Sequence, residues 1–284
     1  METSAWRNQS SITEVTLLGF SSRPELQVPL FLLFLMIYTM TMAANISMVV
    51  LVAVDRHLHT PMYFFLGNLS CLEACYSSTI LPRLLASFLT GDRTISTRCC
   101  ILQFSCFGSL TGVECCLLAV MSFDRYVAIC RPLHYAALMR ARSCWQLAAA
   151  SWISGFLATA ANTFWLSGMV FCGPTELDHF FCDFTPLLKL SCSDISLMAL
   201  LTLLLSALFT LPSFLLTLTS YLCIITAIRR IPSSTGRNKA FSTCSSHLIV
   251  VTLYYGAVIF VYVLPDTDVL RPLNKLFSLF YTVI

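Results

Sequence analysis

The chain has 284 residues, of which 57% are hydrophobic and 11% are charged. A soluble domain carries about 25% charged residues, so this composition excludes an ordinary soluble fold and indicates a membrane protein. The formal net charge of +3 is too small to indicate a nucleic-acid partner.

Long uncharged stretches alternate along the chain with short charged ones. A membrane helix needs about 20 apolar residues, and this length divides the sequence into seven predicted segments. These segments are 28–54, 61–88, 99–123, 144–168, 197–228, 240–264 and 273–284. The sequence therefore predicts an all-α membrane protein, a seven-transmembrane helical bundle whose seventh helix is incomplete, because only nine residues follow Lys275.

The segments before and between the predicted helices set the expected topology. Residues 1–27 contain no continuous apolar run, so they predict an extracellular amino-terminal tail and no cleavable signal peptide. Asn8 begins a glycosylation sequon, which is consistent with an external amino terminus. Residues 169–196 then form the second extracellular loop, and residues 229–239 form the third intracellular loop, where basic residues are dense.

Four of the 14 cysteines lie at the predicted outer face of the membrane, which is oxidising: Cys100, Cys172, Cys182 and Cys192. Four cysteines allow three pairings, and their spacing does not select one of them. Cys99 is a competitor of its neighbour Cys100 for the same bond.

Three polar residues are predicted inside the membrane at matching depth. At about 1.5 Å per residue, Asn45, Glu73 and Glu114 lie about 15, 18 and 16 Å from the cytoplasmic ends of their segments. Two carboxylates at one depth are costly to bury, so they predict a shared site for a cation or a proton. The alternative is that each carboxyl group is protonated and hydrogen-bonded for packing.

The third segment ends in Met-Ser-Phe-Asp-Arg-Tyr-Val-Ala-Ile-Cys, at residues 121–130. Asp124-Arg125-Tyr126 at the end of the third of seven helices resembles the rhodopsin-like (class A) G-protein-coupled receptors, and the decapeptide resembles its version in vertebrate odorant (olfactory) receptors. Residues 58–63, Ser220-Tyr221 and residues 239–248 resemble further segments of that family in the same order. The resemblance covers nearly the whole chain.

This resemblance implies a receptor that binds small volatile odorants within the bundle and activates an olfactory-type stimulatory heterotrimeric G protein, which raises cyclic AMP. It implies a plasma-membrane location in the cilia of olfactory sensory neurons. Asp124 is expected to hold the guanidinium of Arg125 at rest and to release it on activation, as a two-state switch. The implied switch residues are Asp124, Arg125, Tyr126, Tyr221, Lys239, His247 and Tyr255.

The resemblance also implies disulfide bonds between Cys100 and Cys182 and between Cys172 and Cys192. It matches the polar residues Asn45, Glu73 and Glu114 with the family's sodium-type cluster, so a sodium ion at Glu73 and Glu114 is the one metal or cofactor expected. These expectations are read from the family's pattern in this sequence.

A mostly apolar ligand pocket is expected in the outer half of the third, fifth and sixth segments. The candidate residues are Phe107, Gly108, Thr111, Gly112, Leu205, Phe209, Tyr255, Val258, Ile259 and Tyr262. They carry no charge, which predicts an uncharged ligand. Ordinary helix packing needs the same residue types at the same spacing, so it is the competing interpretation.

Other functions fit this sequence less well than a receptor does. A transporter or channel would explain the buried carboxylates, but the sequence shows neither inverted repeats nor broken helices. No Ser-His-Asp arrangement or phosphate-binding loop stands out, so the chain is not expected to be an enzyme. The remaining alternative is a truncated receptor relic that does not signal, because the family's Pro-Met-Leu-Asn-Pro segment does not occur.

Overall fold

The computed structural model describes residues 12–19, 24–172, 175–188, 190–192, 195–230 and 233–263. Within these residues the chain forms six long helices, which are α1 (Pro24–Val54), α2 (Pro61–Thr90), α3 (Thr97–Cys130), α5 (Ala141–Ser167), α7 (Ser196–Arg229) and α8 (Ser234–Val263). Two short helices, α4 (Pro132–Leu138) and α6 (Phe184–Leu188), lie between them. The strands are β1 (Glu14–Leu17), β2 (Thr94–Ser96) and β3 (Glu176–Leu177).

The six long helices have the length of membrane-spanning helices. The shortest, α5, has 27 residues, which correspond to about 40 Å, and the apolar core of a bilayer is about 30 Å thick. Judged by both length and apolar composition, three described stretches are suited to cross a membrane: Glu25–Val54, Thr97–Cys130 and Ser196–Arg229. A shorter apolar stretch, Cys244–Val258, lies within α8. The all-α membrane fold is therefore confirmed, and the predicted seventh segment lies outside the described residues.

The third long helix is the centre of the bundle. Helix α3 packs against α2, α5, α7 and α8, and α1 packs against α2. The first turn of α3 is capped by Ser96, whose hydroxyl oxygen accepts a hydrogen bond from the Cys99 N–H at 3.2 Å. Both ends of α3 carry residues of the predicted sites, so its packing fixes their relative positions.

A small sheet closes one end of the bundle, which we call the sheet end. Strand β1 is its middle strand, antiparallel to β2 and parallel to β3. The sequence predicted no strands. Residues 12–19 fall within the predicted amino-terminal tail, since a four-residue strand leaves little pattern in the sequence.

Two helices extend well beyond the membrane segments predicted for them. Helix α3 continues to Cys130, seven residues past the predicted end at 123, and α8 begins at Ser234, inside the predicted loop 229–239. The length rule estimates the part of a helix that lies in lipid. Helical hydrogen bonds continue beyond that part into polar surroundings, so charged residues such as Arg125 and Arg237 belong to helices.

Candidate functional site

A buried ion pair lies near the end of α3 that is opposite the sheet, which we call the Arg125 end. The Asp124 Oδ2 accepts hydrogen bonds from Arg125 Nε at 3.1 Å and Nη2 at 2.7 Å. The Asp124 side chain is fully buried, and that of Arg125 is 13% exposed. A buried carboxylate is costly without a partner, so this pair holds the guanidinium beside Asp124.

A third residue completes this arrangement. The Tyr135 hydroxyl, on the short helix α4, donates a hydrogen bond to the other carboxylate oxygen of Asp124 at 3.0 Å. Burial and the nearby Asp124 carboxylate raise the pKa of the Tyr135 phenol, so it remains a protonated donor. Helix α4 starts at Pro132, in the position where proline favours a helix start. Sequence reasoning missed Tyr135, although that proline soon after the Asp-Arg-Tyr motif was a usable signal.

The predicted partners on α7 and α8 lie close to this pair. Tyr221 and the Nδ1 of His247 form a hydrogen bond, and both side chains are buried. Both groups are near enough to Arg125 to interact with its charge. Tyr126 packs against the same apolar cluster as Tyr221. The structure thus gathers most of the predicted switch, while the side chain of Lys239 lies outside the described ones.

The intramembrane acids lie together in the middle of the bundle. Glu73 and Glu114 are buried, with 8% and 5% of their surface exposed, and they interact electrostatically. The Glu114 Oε2 has no hydrogen-bond partner among the described residues. Asn45 instead donates to the Thr41 carbonyl of its own helix at 3.1 Å. No group of three or more metal-ligating side chains occurs in the described part of the chain, so sodium binding stays a prediction.

The predicted ligand residues of α3 lie in an aromatic and hydroxyl-rich region nearer the sheet end. The ring of Phe107 lies 4.8 Å from that of Tyr76 and 4.7 Å from that of Phe181, between ring centroids. The hydroxyls of Thr111 and Tyr76 form a hydrogen bond at 3.0 Å, and the Tyr254 hydroxyl donates to the Thr111 carbonyl at 3.1 Å. Aromatic faces with a few hydroxyls suit a small apolar ligand.

Helix α8 meets α3 at Tyr255. Its hydroxyl lies 3.6 Å from the Cys115 Sγ, and its ring packs edge-on against Phe214 of α7, with 5.0 Å between centroids. Val258 packs against the apolar cluster that contains Cys115 and Tyr255. The other candidates on α7, Leu205 and Phe209, are half-buried, and the side chains of Ile259 and Tyr262 lie outside the described ones.

Two predicted ligand residues, Gly108 and Gly112, face α5. A Cβ added at Gly108 would lie 3.1 Å from Thr159 Cγ2, and one added at Gly112 would lie 2.9 Å from the Cα of Gly155. Both contacts are with α5, so these glycines let α3 and α5 approach closely. Spacing along the sequence placed them beside Phe107 and Thr111, but it did not show which face of α3 turns towards α5.

Two disulfide bonds lie at the sheet end. Cys100 is bonded to Cys182, and Cys172 is bonded to Cys192, with Cα–Cα distances of 5.3 and 5.8 Å. Cys99 is a free, exposed thiol. The glycosylation sequon at Asn8 lies outside the described residues.

Comparison with known proteins identifies the family. The family model described as "Olfactory receptor" matches residues 34–283. Mouse (Mus musculus) olfactory receptor 5AP2 is 46% identical over 98% of this chain and 88% of its own length. Human (Homo sapiens) olfactory receptors 2B2 and 10C1 are 46% and 48% identical over 98% of this chain and 78% and 89% of their lengths.

The chain belongs to the olfactory receptor family. It is therefore a G-protein-coupled receptor and a multi-pass membrane protein, and the family is not one of enzymes. Two regions of this olfactory receptor differ in their chemistry. The region of Phe107 and Tyr255 is apolar with hydroxyl groups, and the region of Arg125 is a buried ionic cluster.

Proposed function

We propose that this olfactory receptor binds a small, uncharged, volatile odorant among α3, α7 and α8, and then activates a stimulatory heterotrimeric G protein that raises cyclic AMP. The observation that carries the proposal is the three-part cluster of Asp124, Arg125 and Tyr135. Its members come from α3 and α4. Together they keep the Arg125 guanidinium bound to the buried Asp124 carboxylate, as the resting state of a switch requires.

The proposed topology puts the sheet end outside the cell and the Arg125 end in the cytoplasm. The two disulfides at the sheet end support this orientation, because disulfides persist in oxidising surroundings. Exposed arginines at the Arg125 end also support it, since basic residues concentrate in cytoplasmic loops. These arginines are Arg131, Arg140, Arg142, Arg229, Arg230 and Arg237. The proposed location is the plasma membrane of the cilia of olfactory sensory neurons.

The chemistry of the proposed ligand follows from the residues near Phe107. The rings of Phe107 and Tyr76 offer apolar contacts, and the hydroxyls of Thr111 and Tyr255 offer hydrogen bonds. A neutral ligand of modest size with one oxygen-containing group matches this set. A charged ligand would have to lose its hydration in a region whose described ionisable groups are phenols, thiols and the buried carboxyl group of Glu114.

The proposed mechanism couples the two regions through α8. A ligand that displaces Tyr255 from Cys115 would shift α8, and the same helix carries His247 eight residues earlier in the sequence. Movement of α8 would break the hydrogen bond between His247 and Tyr221. Tyr221 would then be available to Arg125 once the guanidinium leaves Asp124. The ligand favours the active arrangement only to the extent that it binds this arrangement more tightly.

An odorant panel applied to cells that express the receptor at their surface tests this function. At least one neutral volatile compound should raise cyclic AMP in a saturable, concentration-dependent way. Surface expression without a response to any compound would instead favour the alternative of a receptor relic that does not signal. A current carried through the protein without G protein would favour a channel.

A further inference from the structure

The segment before the first membrane helix contains β1, which is the middle strand of the sheet at the sheet end. On one edge of β1 the Leu17 N–H donates to the Arg93 carbonyl at 3.0 Å, and on the other edge the Leu18 N–H donates to the Leu177 carbonyl at 2.9 Å. The Thr97 hydroxyl donates to the Ile12 carbonyl at 2.9 Å. The strand therefore joins the loop before α3 to the loop after α5.

One face of β1 is packed into an apolar core. Val15 and Leu17 are 1% and 7% exposed, and they belong to the cluster that contains Phe104 and the Cys100–Cys182 disulfide. Alternate residues of a strand point to opposite faces, and Glu14 is exposed on the other face. Thr16, on that same face, is only half-buried. Val15 and Leu17 are thus the side chains through which the strand is fixed.

The end of β1 leads directly to the aromatic residues above the proposed ligand region. The Gly19 N–H donates to the His179 carbonyl at 3.2 Å, and Gly19 has a φ of 68°, which glycine adopts readily. The His179 ring lies edge-on to Phe181 with 4.5 Å between centroids. Phe181 is fully buried and contacts Phe107.

We propose that Val15 and Leu17 are positioning residues for the odorant site: by fixing β1 in the sheet, they hold Phe181 against Phe107 as the roof of that site. The proposal rests on the proposed function for the identity of the ligand. The disulfide at Cys182 holds the residue after Phe181, and β1 holds the segment before it. Loss of either anchor leaves the roof free to move.

Hydrogen–deuterium exchange of the purified receptor tests the positioning without any ligand. Leu17→Ala should speed amide exchange in a peptide that covers residues 177–184, because the Cys182 N–H, which donates to the Gln103 Oε1 at 3.0 Å, loses this bond more often when the segment of Phe181 is free to move. Thr16→Ala, a change on the opposite face of the same strand, is the matched control and should leave that peptide unchanged. Unchanged exchange in Leu17→Ala would overturn the proposal. Leu17→Val, which deletes less of the side chain, replaces Leu17→Ala if that variant does not fold.

Odorant concentration–response curves test the consequence for binding. At equal surface expression, Leu17→Ala should raise the half-maximal concentration about tenfold with the maximal response retained, which corresponds to a loss of about 1.4 kcal/mol of binding free energy. Leu17→Met, which conserves the volume of the side chain, should give the concentration–response curve of the unaltered receptor. A loss of maximal response without a shift, or a shift equal to that of Thr16→Ala, would contradict positioning.

The two experiments test the proposed function and the positioning role independently. If no odorant activates the unaltered receptor, the proposed function falls, and the exchange experiment still decides whether β1 holds the segment of Phe181. If odorants activate the receptor and the exchange at residues 177–184 does not depend on Leu17, the function stands and the positioning role is wrong.

Discussion

At the scale of single residues, the hydroxyl of Tyr135 is the main addition to the predicted switch. The sequence motif gives Asp124 and Arg125 as neighbours, but two adjacent residues on a helix do not by themselves fix a guanidinium. In the structure each oxygen of the Asp124 carboxylate has its own donor, Arg125 on one and Tyr135 on the other. The carboxylate is therefore held from two helices, α3 and α4.

Tyr135→Phe should raise the basal cyclic AMP level. A hydrogen bond to a charged group contributes about 1.5–3 kcal/mol, so its loss should shift the balance between resting and active receptor about tenfold or more. Basal cyclic AMP per receptor at the cell surface is the measurement. Tyr63→Phe is the control, because Tyr63 is 38% exposed and the donors to the two Asp124 oxygens are Arg125 and Tyr135. Equal basal levels in both variants would mean that Tyr135 does not stabilise the resting state.

At the scale of elements, the crossing of α3 and α5 is decided by small residues. A Cβ at Gly155 would lie 2.5 Å from the backbone N and Cγ2 of Val113 and 2.6 Å from the carbonyl oxygen of Ser109. Real Cβ atoms do not approach backbone that closely, so the two helices must separate to accept one. Close approach of this kind is how helices associate in lipid, where apolar side chains gain little from contact with each other.

Gly155→Ala should therefore destabilise the receptor by about 1–3 kcal/mol, the usual cost of overpacking. Thermal unfolding in detergent, followed by the reactivity of buried thiols, measures it. Gly67→Ala is the matched control: a Cβ there meets only the side chain of Val52, at an ordinary 3.5 Å. It should be neutral or slightly stabilising, because alanine favours a helix more than glycine does. A midpoint for Gly155→Ala as high as that of Gly67→Ala would refute the close crossing.

These elements show what the sequence alone could predict. Long uncharged stretches predicted the membrane helices, because lipid requires apolar residues over a fixed length. The faces of the helices were not predictable in the same way. Gly112 and Thr111 are adjacent, yet Gly112 faces α5 and Thr111 bonds Tyr76. The sheet was missed because β3 has only two residues and pairs with a strand about 160 positions away, and such non-local pairing leaves no local pattern.

At the scale of the whole molecule, the two regions of the receptor lie along one helix. Helix α3 carries Phe107 near the sheet end and Arg125 near the other end. Eighteen residues separate them in the sequence, about 27 Å along a helix. A signal over that distance requires an element with two arrangements, and α8, which contacts both α3 and α7, is the element proposed to move.

The central claim is that Arg125 transmits the signal and does not bind the odorant. The most direct test measures ligand binding and cyclic AMP together in Arg125→Ala, with Arg56→Ala, a change at an exposed arginine, as the control. The account predicts that Arg125→Ala binds odorant with unchanged affinity and produces no cyclic AMP response, while Arg56→Ala keeps both. Retained signalling in Arg125→Ala, or a parallel loss of binding at normal surface expression, would contradict it.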